Sequence, residues 1–232
     1  MKRSIAVEMM DSSDNPRELL EEDLLYLRQL NRYLGGARCV RYGIARLVRR
    51  RNLSTLSILD VGAGSADVAL DIVRWCRHNR VRATVVTLER DPVTVAVAAK
   101  AVAGVAEISV VRGDAAAPPF APKRFDCVVA SQFLHHFSES EIVELLRSWA
   151  TLARRAIVVG DLLRHPLAYY GIQALTRLST KNIMTLTDAP LSVRRAFTLA
   201  EWRALFRRAD VGKFHVTPLM PFRMSGWIEI DS

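Results

Sequence analysis

Ser57-Ile58-Leu59-Asp60-Val61-Gly62-Ala63-Gly64-Ser65-Ala66-Asp67 is the stretch on which the fold turns. Leu59 and its β-branched neighbours form the short apolar run of a strand buried on both faces. Gly62 and Gly64 then suit a turn that needs unusual backbone angles and leaves room for a ligand beside the main chain. From Ser65 onward the apolar positions, Ala66, Ala69, Leu70 and Val73, fall at helical spacing. A strand, a small-residue turn and a helix start together present free N–H groups and a positive helix end to an anionic ligand. Dinucleotide folds use the same junction, so the segments downstream decide its meaning.

Those segments repeat the alternation. Ala83–Leu88 reads as a second strand ending at Glu89 and Asp91, about where a ribose-binding carboxylate is expected. Ile108–Val111 is a third, running into Arg112-Gly113-Asp114-Ala115. Phe125–Ala130 is a fourth, running into Ser131-Gln132-Phe133-Leu134-His135-His136. Ala156–Val159 is a fifth, ending at Gly160-Asp161. Helices are expected near 66–79, 92–102 and 139–152, which makes the strands parallel and the crossovers right-handed. Polar residues close every strand at its carboxyl end, the edge where ligands bind in open α/β sheets.

Outside this core, Asp14-Asn15-Pro16 reads as a helix start with Pro16 at the first helical position. Leu20, Leu24, Leu27, Leu30, Asn31 and Leu34 form a stripe that Gly35-Gly36 ends. Cys39, Val40, Ile44, Leu47 and Val48 continue on a second, basic helix. After Asp161, 167–178 reads as helix and 179–190 as a polar, turn-rich stretch broken at Asp188-Ala189-Pro190. Thr198 opens a helix with Glu201 completing a capping box. Strands at about 213–219 and 222–230, separated by Pro221, read as an antiparallel hairpin.

Composition sets limits. The 232 residues allow one domain with a peripheral subdomain, and a 50% hydrophobic content is ample for its core. No apolar run is long enough for a membrane span, and the charged start Met1-Lys2-Arg3-Ser4 is no secretory signal, so the cytoplasm is the expected compartment. Cys39, Cys76 and Cys127 are far apart, match no metal spacing and read as free thiols, and no metal is expected. The net charge of +9 allows a nucleic-acid or anionic-lipid partner. The excess is nearly all arginine, spread along the chain with one concentration at Arg46, Arg49, Arg50 and Arg51, and aromatic residues do not interleave with it. A coding bias is the favoured reading.

From about residue 56 to 230 the chain resembles the class I S-adenosylmethionine-dependent methyltransferases. The first motif, usually acidic-x-Gly-x-Gly-x-Gly, is Asp60-Val61-Gly62-Ala63-Gly64-Ser65-Ala66, with Ala66 in place of the last glycine. Phe125-Asp126-Cys127-Val128-Val129 and Leu134-His135-His136-Phe137 are similar to the small-molecule branch, which includes ubiquinone and menaquinone methyltransferases and natural-product O- and C-methyltransferases. Leu30-Asn31-Arg32-Tyr33-Leu34-Gly35-Gly36 resembles a cap seen in some of them. The resemblance implies a Rossmann-like, doubly wound α/β fold with a seven-stranded sheet, mostly parallel with a C-terminal antiparallel hairpin. It implies an N-terminal helical cap at 1–52 and a methyltransferase domain at 53–232 with a lid insertion near 162–197.

It also implies roles. Asp60, Gly62, Ala63 and Gly64 would face the methionine part of S-adenosylmethionine, with Asp60 either in contact or stabilising the loop. Glu89 would accept from the ribose hydroxyls, while Asp91 is expected to cap the helix from Pro92. Arg90 would lie against the adenine, Asp114 would accept from its amino group with the Ala115 main chain alongside, and Ser131 would sit beneath the sulfonium. Asp67 is read as favourable charge in a first helical turn. His135 and His136 stand near the methyl acceptor, where an imidazole suits proton transfer near neutrality, against a packed histidine before a helix. Asp161 is a base or a substrate-orienting group, against a charge pair with Arg164 closing a loop. Tyr169, Tyr170, Met184 and Phe197 are candidates for an apolar acceptor pocket. The expected reaction is methyl transfer to a small aromatic or polyketide-like acceptor, on oxygen or carbon. A nucleic-acid methyltransferase lacks its Asn/Asp-Pro-Pro-aromatic or Pro-Cys motif here. An inactive cofactor-binding partner subunit is a second alternative, and a nicotinamide-dependent dehydrogenase, whose third glycine and Tyr-Lys pair are not evident here, is a third.

Overall fold

The computed structural model describes residues 1–12 and 14–230. Its frame is one seven-stranded sheet ordered β3-β2-β1-β4-β5-β7-β6. The strands are β1 (Thr55–Val61), β2 (Arg82–Glu89), β3 (Ile108–Arg112), β4 (Phe125–Ser131), β5 (Ala153–Leu162), β6 (Lys213–Leu219) and β7 (Arg223–Glu229). The first five are parallel; β7 runs antiparallel to both β5 and β6. The helices are α1 (Arg17–Tyr33), α2 (Gly36–Arg51), α3 (Asp67–His78), α4 (Pro92–Ala101), α5 (Glu139–Leu152), α6 (Pro166–Ser179), α7 (Ile183–Arg195) and α8 (Leu199–Ala209). This is the Rossmann-like, doubly wound arrangement with a terminal hairpin.

The strands are apolar on both sides because helices cover both faces. Ile44 and Leu47 of α2 and Ile72 of α3 pack with Ile58 and Val129 on one face. Trp149 of α5 and Trp202 and Phe206 of α8 pack with Leu59 and Val128 on the other. Trp149 is fully buried and its indole Nε1 donates to the Ala115 carbonyl at 2.8 Å. A third small core joins Leu20 and Leu24 of α1 to Met184 of α7, holding these helices over the sheet's carboxyl edge.

Helix starts follow the local chemistry. Asp91 accepts from Thr94 N, with Pro92 opening α4, and Ser138-Glu141 and Thr198-Glu201 form complete capping boxes on α5 and α8. Pro16, however, is the cap residue of α1, and Arg17 is its first helical residue. The larger correction concerns 179–190. Asp188, Ala189 and Pro190 do not break the chain; they lie inside α7. A proline within a helix costs about 3 kcal/mol, but burial of Met184, Ala189, Pro190 and Val193 outweighs it. Asn182 caps the helix by accepting from Thr185 N. Ala66 adopts a left-handed φ of +59° at the start of α3, so its departure from glycine carries a backbone cost of about 1 kcal/mol.

The strand order reverses between β1 and β4, and the crevice at their carboxyl ends is where such sheets bind ligands. Among the described residues, no helix is long and apolar enough to cross a membrane.

Candidate functional site

A cavity of about 1020 Å³ opens over that crevice. Its floor is the carboxyl edge of β1, β2 and β4; α1, α6 and α7 and the N-terminal segment form its walls. The volume lies at the upper end of the range for small-molecule sites.

The turn after β1 is built for close approach. Gly62 has φ +61°, and a Cβ there would lie 2.2 Å from the Phe133 ring, so only glycine fits. Gly64 has φ +52° and faces open space. Its N–H donates to Glu89 Oε2 at 3.1 Å, while Glu89 Oε1 accepts from Arg90 N and Asp91 N. The two strand ends thereby hold one another. Asp114 accepts from Ala116 N at 2.8 Å, the turn-forming contact of an aspartate, with its carboxylate at the cavity wall. Asp60, Gly62, Ala63, Gly64, Glu89, Arg90, Asp114, Ala115 and Ser131 all line this cavity.

Among the described residues, four groups on its wall are buried without a hydrogen-bond partner: both oxygens of Asp60, Nε of Arg28, Oγ of Ser131 and, at the far end, Oε1 of Glu8. Burial pushes the Asp60 carboxyl up to about 8, with the charges of Asp67 and Glu89 adding to it. Asp67 also lies on the wall; its carboxylate accepts from Asn31 Nδ2 at 3.1 Å and Ser65 Oγ at 3.3 Å. It is therefore more than a first-turn charge.

Asn31 belongs to no apolar stripe. It also accepts from Gln132 Nε2, while Gln132 accepts from the buried Arg223, whose Nε donates to Leu34 O at 3.0 Å. Arg28 donates to Ser65 O at 2.9 Å. The Leu30–Gly36 stretch thus bolts α1 onto the glycine turn and the end of β4. Arg28, Gln132, Arg223 and Glu8 were missed because each acts across 37 or more residues of sequence, as Arg28 on Ser65 shows. Asn31-Arg32-Tyr33 beside a glycine pair was the one local signal.

At the far end of the cavity a 3-10 turn, Leu134–His136, presents both histidines. His135 is 3% exposed, and its Nδ1 lies 2.7 Å from Asp161 Oδ1, which also accepts from Leu162 N. Asp161 is buried behind His135 and is not on the cavity wall. It does not pair with Arg164, whose guanidinium holds Glu201 at 2.7 Å and the Ala196 carbonyl at 2.8 Å. His136 Nδ1 lies 3.0 Å from Asp11 Oδ2. Glu8, buried, faces the Nε2 atoms of both rings, at 3.8 Å from His135 and 3.9 Å from His136. Burial pushes Glu8 up to about 7, against His136 and a hydrogen bond from Ser192. Arg3 and Arg195 tie the N-terminal segment down by donating to the main-chain carbonyls of 135–137.

The expected aromatic lining is not there. Met184 and Phe197 are fully buried in the core, and Tyr169 and Tyr170 are not on the cavity wall. Leu167, Ile172 and Leu175 of α6, with Leu24 and Leu27 of α1 and Phe222, form the apolar side instead. The α6 period turns its tyrosines away from the cavity.

Residues 58–156 match the family described as a methyltransferase domain. No curated protein matches the chain. Among solved structures, it is similar to a SAM-dependent methyltransferase of Aquifex aeolicus, with a TM-score of 0.59 at 13% identity over 81% of this chain and 89% of that one. It is similar to human N-acetylserotonin methyltransferase in complex with SAM, with a TM-score of 0.67 at 16% identity over 94% and 57% of the two chains. An O-methyltransferase family 2 protein of Planctomyces limnophilus in complex with apigenin gives a TM-score of 0.55 at 18% identity over 76% and 50%. The glycine turn and the reversing strand order thus belong to a matched methyltransferase domain at residues 58–156, set in a fold shared with S-adenosylmethionine-dependent methyltransferases.

Proposed function

We propose that the enzyme methylates a small, largely apolar acceptor of aromatic or polyketide-like character, on oxygen or carbon. The observation that carries this reading is the division of one cavity into two chemically distinct ends. One end holds the orphaned atoms of Asp60, Arg28 and Ser131 beside the glycine turn; the other is lined by leucines and closes on His135. The unpartnered Asp60 carboxyl and the free Nε of Arg28 match the ammonium and carboxylate of an amino-acid moiety.

S-adenosylmethionine supplies a methyl group on a sulfonium when bound. Asp60 and Arg28 would hold its amino-acid end, Glu89 its ribose hydroxyls and Asp114 its adenine amino group, with Arg90 and the Ala115 main chain beside the base. Ser131 would face the sulfonium. An in-line displacement asks the protein chiefly to align donor and acceptor and to exclude water. The helices of 1–52 and the 162–197 segment, as cap and lid, would do the latter. His135 takes the acceptor's proton at Nε2, and Asp161 serves as a positioning residue through Nδ1. Support for the acceptor class comes from the leucine-lined end and from the small-molecule ligand in the Planctomyces limnophilus structure.

The test is methyl transfer from labelled S-adenosylmethionine to a panel of phenols and polyketide-like enols, with structured RNA and duplex DNA as competitors. Label entering the small molecules supports the proposal; label entering only nucleic acid overturns it.

A further inference from the structure

We propose that Glu8, His135 and His136 form a binding site for a divalent transition-metal ion of the Zn2+ type at the acceptor end of the cavity. Each histidine gives its Nδ1 to a carboxylate, His135 to Asp161 at 2.7 Å and His136 to Asp11 at 3.0 Å. An ionised carboxylate can only accept, so each Nδ1 donates, and in the neutral imidazole Nε2 is then the nitrogen that carries the lone pair. These lone pairs converge on the Glu8 carboxylate, whose Oε1 has no hydrogen-bond partner.

The gaps of 3.8 and 3.9 Å are too long for hydrogen bonds. They are close to the spacing around a shared ion: ligand atoms each about 2.1 Å from a tetrahedral Zn2+ stand about 3.4 Å apart. One ligand atom from each of the three residues lies within 4.8 Å of the others, so the set closes by up to roughly 1.4 Å on binding. Carboxylates that orient the far nitrogen of metal-bound histidines are a recurring feature of such sites. Two imidazoles and one carboxylate favour Zn2+ or Co2+ over Mg2+ or Ca2+, which prefer all-oxygen ligands. Arg195 Nε lies 3.5 Å from Glu8 Oε1 and Ser192 donates to Oε2, so the carboxylate is aimed before any ion arrives.

The proposal rests on placing the acceptor end at His135. Nε2 of His135 serves as the base in the metal-free protein and as a ligand once the ion is bound. The ion would supply Lewis acidity there, lowering the pKa of an acceptor hydroxyl at its open side.

The experiment is Co2+ titration of the chelator-treated full chain, read by visible d–d absorption. We expect one site in the wild type, about 100-fold weaker binding in His136→Ala and Glu8→Gln, and 10- to 100-fold weaker binding in Asp11→Asn. S-adenosylhomocysteine affinity, measured on the same samples, shows that each variant is folded and reads the methyl-transfer assignment separately. No Co2+ absorption in the wild type, or equal absorption in folded variants, overturns the metal site and leaves that assignment standing.

Discussion

Asp60 gives the sharpest quantitative expectation. Its carboxyl is buried, its oxygens have no partner, and it is pushed up to about 8. In the unliganded chain it is therefore neutral over most of the range below neutrality. A ligand ammonium would demand the ionised form, so binding should release a proton. If only the ionised form binds well, apparent affinity follows the ionised fraction, which rises about thirtyfold between pH 5.5 and 7.0, or about 2 kcal/mol. The assay is calorimetric titration with S-adenosylhomocysteine, which stays zwitterionic over that interval, in buffers of differing ionisation enthalpy. We expect close to one proton released per ligand and a matching slope, with both abolished in Asp60→Asn. The stability of the unliganded chain has the opposite sign. Because the folded pKa is raised, Asp60's contribution is full below about pH 4 and is lost as pH rises through about 8. A flat affinity profile in the wild type, unchanged by Asp60→Asn, would refute the reasoning.

Four further outcomes are expected. Glu89→Ala should lower cofactor affinity by about ten- to a hundredfold, since charge-assisted hydrogen bonds are worth about 1.5–3 kcal/mol each, with Asp114→Ala also weakening it; calorimetry checks both, and circular dichroism should show folded protein. Gly62→Ala combines a left-handed φ with a Cβ 2.2 Å from Phe133, so it should destabilise by about 2–4 kcal/mol and lower the melting temperature by several degrees. His135→Ala should reduce kcat by about a hundredfold with cofactor affinity unchanged, and Asp161→Asn should shift the pH–rate profile of the same step. Asn31→Ala, which removes the bridge between Asp67 and Gln132, should weaken cofactor binding while leaving the sheet intact, as hydrogen exchange on β1 and β4 would show.

The fold was legible because its signals are local. Val61-Gly62-Ala63-Gly64 announces the turn, Asp91-Pro92 and Thr198–Glu201 announce helix starts, and apolar runs on both faces announce a covered sheet. Legibility failed where tertiary packing overrides local preference. Pro190 breaks helices in isolation, yet the buried face of α7 keeps it in one. The cavity residues divide the same way. Gly62, Glu89 and Asp114 stand at strand ends, where the sheet edge alone places them. Glu8 reaches His135 across the whole first half of the chain, and Arg223 reaches Gln132 from β7, contacts that no periodicity encodes. The α6 tyrosines misled because an aromatic residue says nothing about which way its helix is rotated.

The central claim is that the cofactor lies across the carboxyl edge of β1 and β4, against the turn after Asp60. A crystal structure with S-adenosylhomocysteine tests it most directly. The account predicts the ligand's ammonium beside Asp60, its ribose on Glu89 and its adenine at Asp114. Density for the ligand anywhere else, with that edge left to solvent, would contradict it.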